Sequence, residues 1–172
     1  MCQSRVQALR RLESEGFVRI TPHKDVVVTG LSPQGFRERF LLMATLEALC
    51  IREAAGSLTP DVLQRLRALQ KEIERAKRER NAQRAVAADG EFHSLLWRQS
   101  GLTETVSILQ NLWDRGEYYR IIMHARRQGF ADESLKEHVR ILDALEKRDI
   151  STAAKALERH RLHAMQRLEA TT

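Results

Sequence analysis

Cysteine, proline, glycine and long apolar runs are all scarce in this 172-residue chain, and each scarcity removes a class of protein. Two cysteines, Cys2 and Cys50, cannot build a disulfide framework and match no zinc-ribbon spacing, which points to a reducing, cytoplasmic setting. Three prolines and eight glycines are too few for a disordered chain, and 42% hydrophobic residues suffice for the core of one ordinary domain. No apolar run approaches the ~20 residues of a membrane span. The longest, around Phe40 to Ile51, is broken by Thr45 and Glu47 and followed by Arg52. The opening MCQSRVQALRRLESEG lacks the apolar stretch of a secretory signal. There is no Gly-x-Ser-x-Gly elbow, phosphate loop or glycine-rich dinucleotide fingerprint, and Cys50 falls on an apolar helical stripe where a thiol is structural.

What is present is charge and helical periodicity. Lys and Arg number 29 against 23 Asp and Glu, a net charge of +6 that is a mild hint of a polyanionic partner. Val6, Leu9 and Leu12 form a short helical stripe closed by Gly16. Two β-branched runs, Phe17 to Thr21 and Val26 to Thr29, then flank the polar Pro22–His23–Lys24–Asp25, which reads as a hairpin. A helix followed by a two-stranded ribbon is the DNA-reading half of a winged helix. Arg5, Arg10, Arg11 and Arg19 lie on it, placed either to touch phosphates or to form a solvated face.

From Ser32 onward only helical periodicity remains, and it predicts six helices joined by short loops. The first follows Ser32–Pro33, carries Phe36, Phe40, Met43, Leu46, Leu49 and Cys50, and ends at Gly56. Thr59–Pro60–Asp61 opens the second, and the third covers roughly Ala82 to Gln99. The fourth is expected from about Thr103 to Gln128, closed by Gly129. The fifth is expected from Asp132 to Lys147 with a Ser134/Glu137 capping box, and Asp149 caps the sixth. The expected fold is mainly α: an antiparallel six-helix bundle over residues 31–172, preceded by a partial winged helix over 1–30.

The histidines carry the strongest chemical signal. Asp89 and His93 stand four apart, so a helix presents both on one face, and Asp89 interrupts the apolar run before it. His138 and His160 lie equally far, in opposite directions, from the turn at Asp149. In an antiparallel hairpin they reach the same height, each on an apolar stripe. Their register with the Asp-xxx-His pair makes a three-histidine, one-carboxylate metal site; a hydrogen-bonded core role is the bland alternative for each. His163, one turn from His160, is a partner of the site or a rim residue. Glu137 adjoins His138 and is expected to point elsewhere.

Helix, hairpin and bundle with this histidine pattern resemble the GntR family of bacterial transcription regulators, in its FadR-type branch with an all-helical FCD effector domain. VQALRRLESEGFVRITPHKDVVVTGLS is similar to the family's recognition helix and wing, ADGEFH to its Asp-to-His element, and EHVRILDALEKRDISTAAKALERH to its C-terminal signature. The resemblance implies Asp89, His93, His138 and His160 as ligands of a divalent ion, zinc foremost, with nickel, cobalt or manganese also suited. It implies a small organic-acid effector at the ion, with Arg120, Tyr119 and Trp113, and Met123 beside them, lining its cavity; Trp113 and Met123 are equally ordinary core residues. It further implies operator DNA, a homodimer and no membrane.

Two departures qualify it. Met43 stands where the pattern often has an arginine, and the hairpin turn lacks its usual glycine. A winged helix places two helices ahead of its recognition helix, and the resemblance starts only at that helix, so the 172-residue chain is expected to bind DNA weakly and without sequence preference through Arg5, Arg10, Arg11 and Arg19. Two other classes remain open: a metal-dependent hydrolase, and a dimerisation module that has lost DNA binding.

Overall fold

The computed structural model describes residues 2–14, 16–21, 25–28, 33–116, 120–121 and 128–169. The chain divides into two compact units, Met1–Phe36 and Arg37–Thr172.

In the first unit, α1 (Cys2–Ser14) runs into the hairpin of β1 (Val18–Ile20) and β2 (Val26–Val28). Gly16 ends the helix at φ +77°, a left-handed conformation that an L side chain resists. The Phe17 N–H then donates to the Leu12 carbonyl at 2.8 Å and the Gly16 N–H to Glu13 at 2.9 Å, satisfying carbonyls that the last turn would orphan. The strands pair antiparallel, Val18 with Val28 and Ile20 with Val26, and the Thr21 N–H donates to Asp25. The Glu13 carboxylate accepts from the Ile20 N–H at 2.9 Å, tying helix to hairpin. The expected hairpin is therefore present; its His23 turn lies outside the described residues.

The second unit is helical. Among the described residues its helices are α2 (Pro33–Glu53, the part from Arg37), α3 (Pro60–Arg78), α4 (Ala82–Arg98), α5 (Thr103–Asp114), α6 (Gln128–Glu146) and α7 (Ile150–Glu169). A short 3-10 turn, Ala54–Gly56, follows α2. Thr59 caps α3 by accepting from the Val62 N–H, with Pro60 at the first helical position, and Asn81 caps α4 by accepting from Arg84. The Ser32 cap expected for α2 is outside the described residues. A core built from Leu66, Leu69 and Ile73 of α3, Phe92 and Leu96 of α4, Ile141, Leu142 and Leu145 of α6 and Leu157 of α7 packs these helices together. A second cluster joins Met43 and Cys50 of α2 to Trp97, Leu109, Leu112 and Trp113.

The α6–α7 hairpin sets the height of two histidines. Arg148 turns the chain at φ +57°, the Asp149 N–H donates back to Ala144, and the Asp149 carboxylate caps α7 from the Thr152 N–H. Only Lys147, Arg148 and Asp149 separate the two helices, so little slack blurs their register.

The middle of the bundle departs from the sequence reading. The fourth helix does not run from Thr103 to Gln128; α5 stops at Asp114, and Gly129 lies inside α6 rather than closing a helix. The reason is local. Arg120 folds back to donate to the Trp113 carbonyl at 2.6 Å, satisfying an acceptor in the last turn of α5. Its Nη1 passes where a Cβ at Gly116 would come within 2.8 Å, so the chain bends over a glycine there. The Ser134/Glu137 capping box is also corrected. Because α6 already starts at Gln128, Glu137 stands in mid-helix and is buried. Among the described residues, no helix is long and apolar enough to cross a membrane.

Candidate metal centre

Three helices supply the cluster. Asp89 and His93 project from one face of α4, His138 comes from α6 and His160 from α7. One nitrogen from each of the three buried histidines lies within 4.8 Å of the others. The Nε2 atoms of His138 and His160 face each other at 3.3 Å, as the equal spacing about Asp149 requires. Asp89 Oδ1 is 3.5 Å from His138 Nε2 and 3.9 Å from His93 Nε2. The four residues that the sequence singled out are thus in one place. Phe92 stacks on the His138 ring at 4.5 Å and 7°, closing the apolar side.

Each imidazole has an oxygen near its other nitrogen. His138 Nδ1–H donates to Gln70 Oε1 at 3.1 Å, and the Gln70 amide is oriented by its own donations to Glu74 and the Leu135 carbonyl. His160 Nδ1–H donates to Glu137 Oε2 at 2.8 Å. Glu47 Oε2 lies 3.3 Å from His93 Nδ1. At His138 and His160 the acceptor bonded to Nδ1 leaves the lone pair on Nε2, turned inward, and at His93 the Glu47 carboxylate stands beside Nδ1. That is the tautomer and orientation in which histidines bind a metal.

The charges in the site are bent from their ordinary values. Burial alone would raise the Asp89 carboxyl, but the histidines and Arg161 around it hold it well below the usual carboxylate range. Burial would likewise raise Glu47, yet Arg161 and His93 bring it down to about 2. Glu137 is held low against burial by the bonds from His160, Arg167 and His163. Burial pushes His160 down to about 4, against its bond to Glu137, and drives His138 well below its usual value with help from His160. Neutral imidazoles beside ionised carboxylates are what a cation needs.

The residues fit a divalent ion. Both ring nitrogens of His93 are buried without a hydrogen-bond partner, a cost that a bound cation removes at Nε2. Two lone pairs facing each other at 3.3 Å repel unless something positive lies between them. Two nitrogens bound tetrahedrally to zinc at ~2.0–2.1 Å stand about 3.3 Å apart.

Of the expected effector residues, Trp113 is buried with its ring 5.5 Å from that of His93, and Arg120 lies over it at 3.8 Å. Tyr119 and Met123 lie outside the described residues. Arg5, Arg10 and Arg11 are exposed on α1 and Arg19 on β1.

Five residues around the histidines escaped the sequence reading or were misread: Glu47, Gln70, Glu137, Arg161 and Arg167. Glu137 was expected to point away, but instead it accepts from His160, from His163 Nδ1 at 2.7 Å and from both Arg167 Nη atoms at 2.9 Å. One turn of helix separates His160 from His163, so a carboxylate on the facing helix reaches both. His163 is therefore a partner of the site's carboxylate. The one visible signal was Glu47, a charge inside an apolar stripe.

Comparison with known proteins follows the same lines. The FCD domain family matches residues 38–163. Solved structures with this fold include E. coli McbR/YncC, 18% identical over 97% of this chain and 84% of that one, with a TM-score of 0.88. A transcriptional regulator (GntR family member) from Pseudomonas syringae pv. tomato is 20% identical over 96% and 70%, with a TM-score of 0.66. Streptococcus agalactiae GntR is 22% identical over 94% and 79%, with a TM-score of 0.65. No curated protein matches the sequence. The family match spans most of the chain and contains all four clustered residues, and the chain belongs to the FCD domain family.

Proposed function

We propose that this protein is a cytoplasmic, dimeric GntR-like transcription regulator. Its effector domain (31–172) holds a divalent ion, zinc foremost, on Asp89, His93, His138 and His160. Its remaining residues, 1–30, contribute recognition helix and wing to DNA binding through Arg5, Arg10, Arg11 and Arg19. The observation that carries the metal reading is the inward convergence of three Nε2 atoms, with an oxygen behind Nδ1 in each ring. An ion bound there supplies positive charge and open coordination positions for a small carboxylate.

The chain's own residues do the rest. Asp89 contributes an ionised carboxylate, Phe92 excludes water on the His138 side, and Gln70 and Glu137 hold their imidazoles in one tautomer. Trp113 lies beside His93 and Arg120 lies over the Trp113 ring, where an effector's carboxylate would meet a guanidinium in a charge-assisted bond. Glu137, the general base a hydrolase would need beside the ligands, is committed to three partners, which favours a sensor over an enzyme.

Elemental analysis of purified wild type should find a divalent ion that is lost in the His138→Ala/His160→Ala double variant. A thermal-shift screen of di- and hydroxycarboxylates should find stabilisation that disappears on chelation. Equal metal content in both proteins would refute the site, and hits unchanged in stripped protein would refute effector binding at the ion.

A further inference from the structure

Glu47 is fully buried in mid-α2, and Arg161, the residue after His160 on α7, is buried with it. Arg161 Nε donates to both Glu47 oxygens at 2.9 Å, and its Nη2 lies 2.8 Å from Oε1. The guanidinium also lies 4.8 Å from the centroid of the Trp113 ring. With both oxygens accepting from one Nε–H and Nη2 close by, the carboxylate has little rotation left, so Oε2 stays 3.3 Å from His93 Nδ1. Gln70 and Glu137 are anchored by neighbours of their own. Only for His93 does the backing rest on a charge pair that spans α2 and α7.

We propose that Arg161 is a positioning residue for the metal ligand His93, acting through Glu47. By fixing the carboxylate, it keeps the imidazole proton on Nδ1 and turns Nε2 toward Asp89. The inference rests on the metal reading above. A contribution to stability alone is a poorer account of the pair. Apolar residues of similar volume generally replace a buried ion pair without loss, whereas a metal-bound imidazole requires an acceptor at its other nitrogen. Lysine in place of Arg161 would supply the charge without the planar guanidinium and its Nε–H.

Three variants of the full chain test it: Arg161→Lys, Arg161→Met and the double variant Glu47→Gln/Arg161→Met, which strands no buried charge. Zinc affinity is read by competition with a chromophoric chelator. Histidine ring nitrogen NMR reads the tautomer in metal-free protein, and circular dichroism checks the fold. The expected result is about a ten- to hundredfold weaker affinity in Arg161→Met and in the folded double variant. Arg161→Lys should recover only part of this, and His93 should pass from one tautomer to a mixture. Wild-type affinity with an unchanged tautomer in the double variant would overturn the proposal. So would loss of helical structure in both methionine variants, which would assign the pair to folding. A wild-type chain that takes up no zinc would instead overturn the metal reading, and the tautomer measurement would still decide what Arg161 does to His93.

Discussion

Replacing Glu137 with alanine removes the acceptor for four donors at once, and the cost can be estimated donor by donor. His160 Nδ1 is buried and would be left unpaired, at about 1–3 kcal/mol. His163 and Arg167 are partly exposed and regain water, so their lost bonds add only about 1 kcal/mol after screening. The sum, roughly 2–4 kcal/mol, lowers the melting temperature by about 10 °C in a protein of this size. Zinc affinity should fall about ten- to hundredfold, because His160 loses the group that fixes its ring. Glu137→Gln keeps an oxygen for His160 and should lose about half as much stability. The effect also has a pH signature. The folded carboxyl is depressed below its ordinary 4.5, so its contribution is complete above that pH and fades as the pH falls below it. The gap between wild type and Glu137→Ala should therefore narrow in acid. Differential scanning calorimetry of metal-free protein, with chelator competition for affinity, reads all of this. An alanine variant with wild-type melting and wild-type zinc affinity would refute the reasoning.

Metal-free protein should lose stability as the pH falls from 6.5 through 4, because unfolded chains take up the proton that His160 refuses until about 4. Glu47 extends the loss from 4.5 down to about 2, and an acid titration followed by circular dichroism checks both windows. Gly90→Ala gains about 1 kcal/mol of helix propensity. Its new Cβ, however, would press the buried Trp113 ring at 3.1 Å, so thermal melts should show a small net destabilisation. Alanine at Arg5, Arg10, Arg11 and Arg19 should weaken DNA binding and flatten the log-log salt dependence by up to about 3–4, as measured by fluorescence anisotropy.

The clustering of the four residues was legible because it obeys two periodicities: Asp89 and His93 share a helix face, and His138 and His160 mirror each other about a turn capped by Asp149. The acceptors behind the ligands were not legible, because they depend on which helices meet. Gln70 reaches His138 only because α3 packs on α6. Glu137 backs not its neighbour His138 but His160 across the hairpin, a contact that sequence adjacency argues against. Arg161 looked like one more basic residue on α7 until its partner on α2 was placed. The fourth helix was expected to run on to Gly129. It stops before Gly116, where the Arg120 side chain folds back over the glycine, a side-chain conformation that helical periodicity does not announce.

In the proposed reading, three histidines and Asp89 hold one divalent ion. X-ray absorption at the zinc edge, on chelator-stripped protein reloaded with one equivalent of zinc, tests it most directly. The account predicts three imidazoles at ~2.0–2.1 Å with oxygen completing the shell and no sulfur, and loss of the imidazole scattering in His138→Ala/His160→Ala. A spectrum with no more than one imidazole, or one unchanged in the double variant, would contradict it.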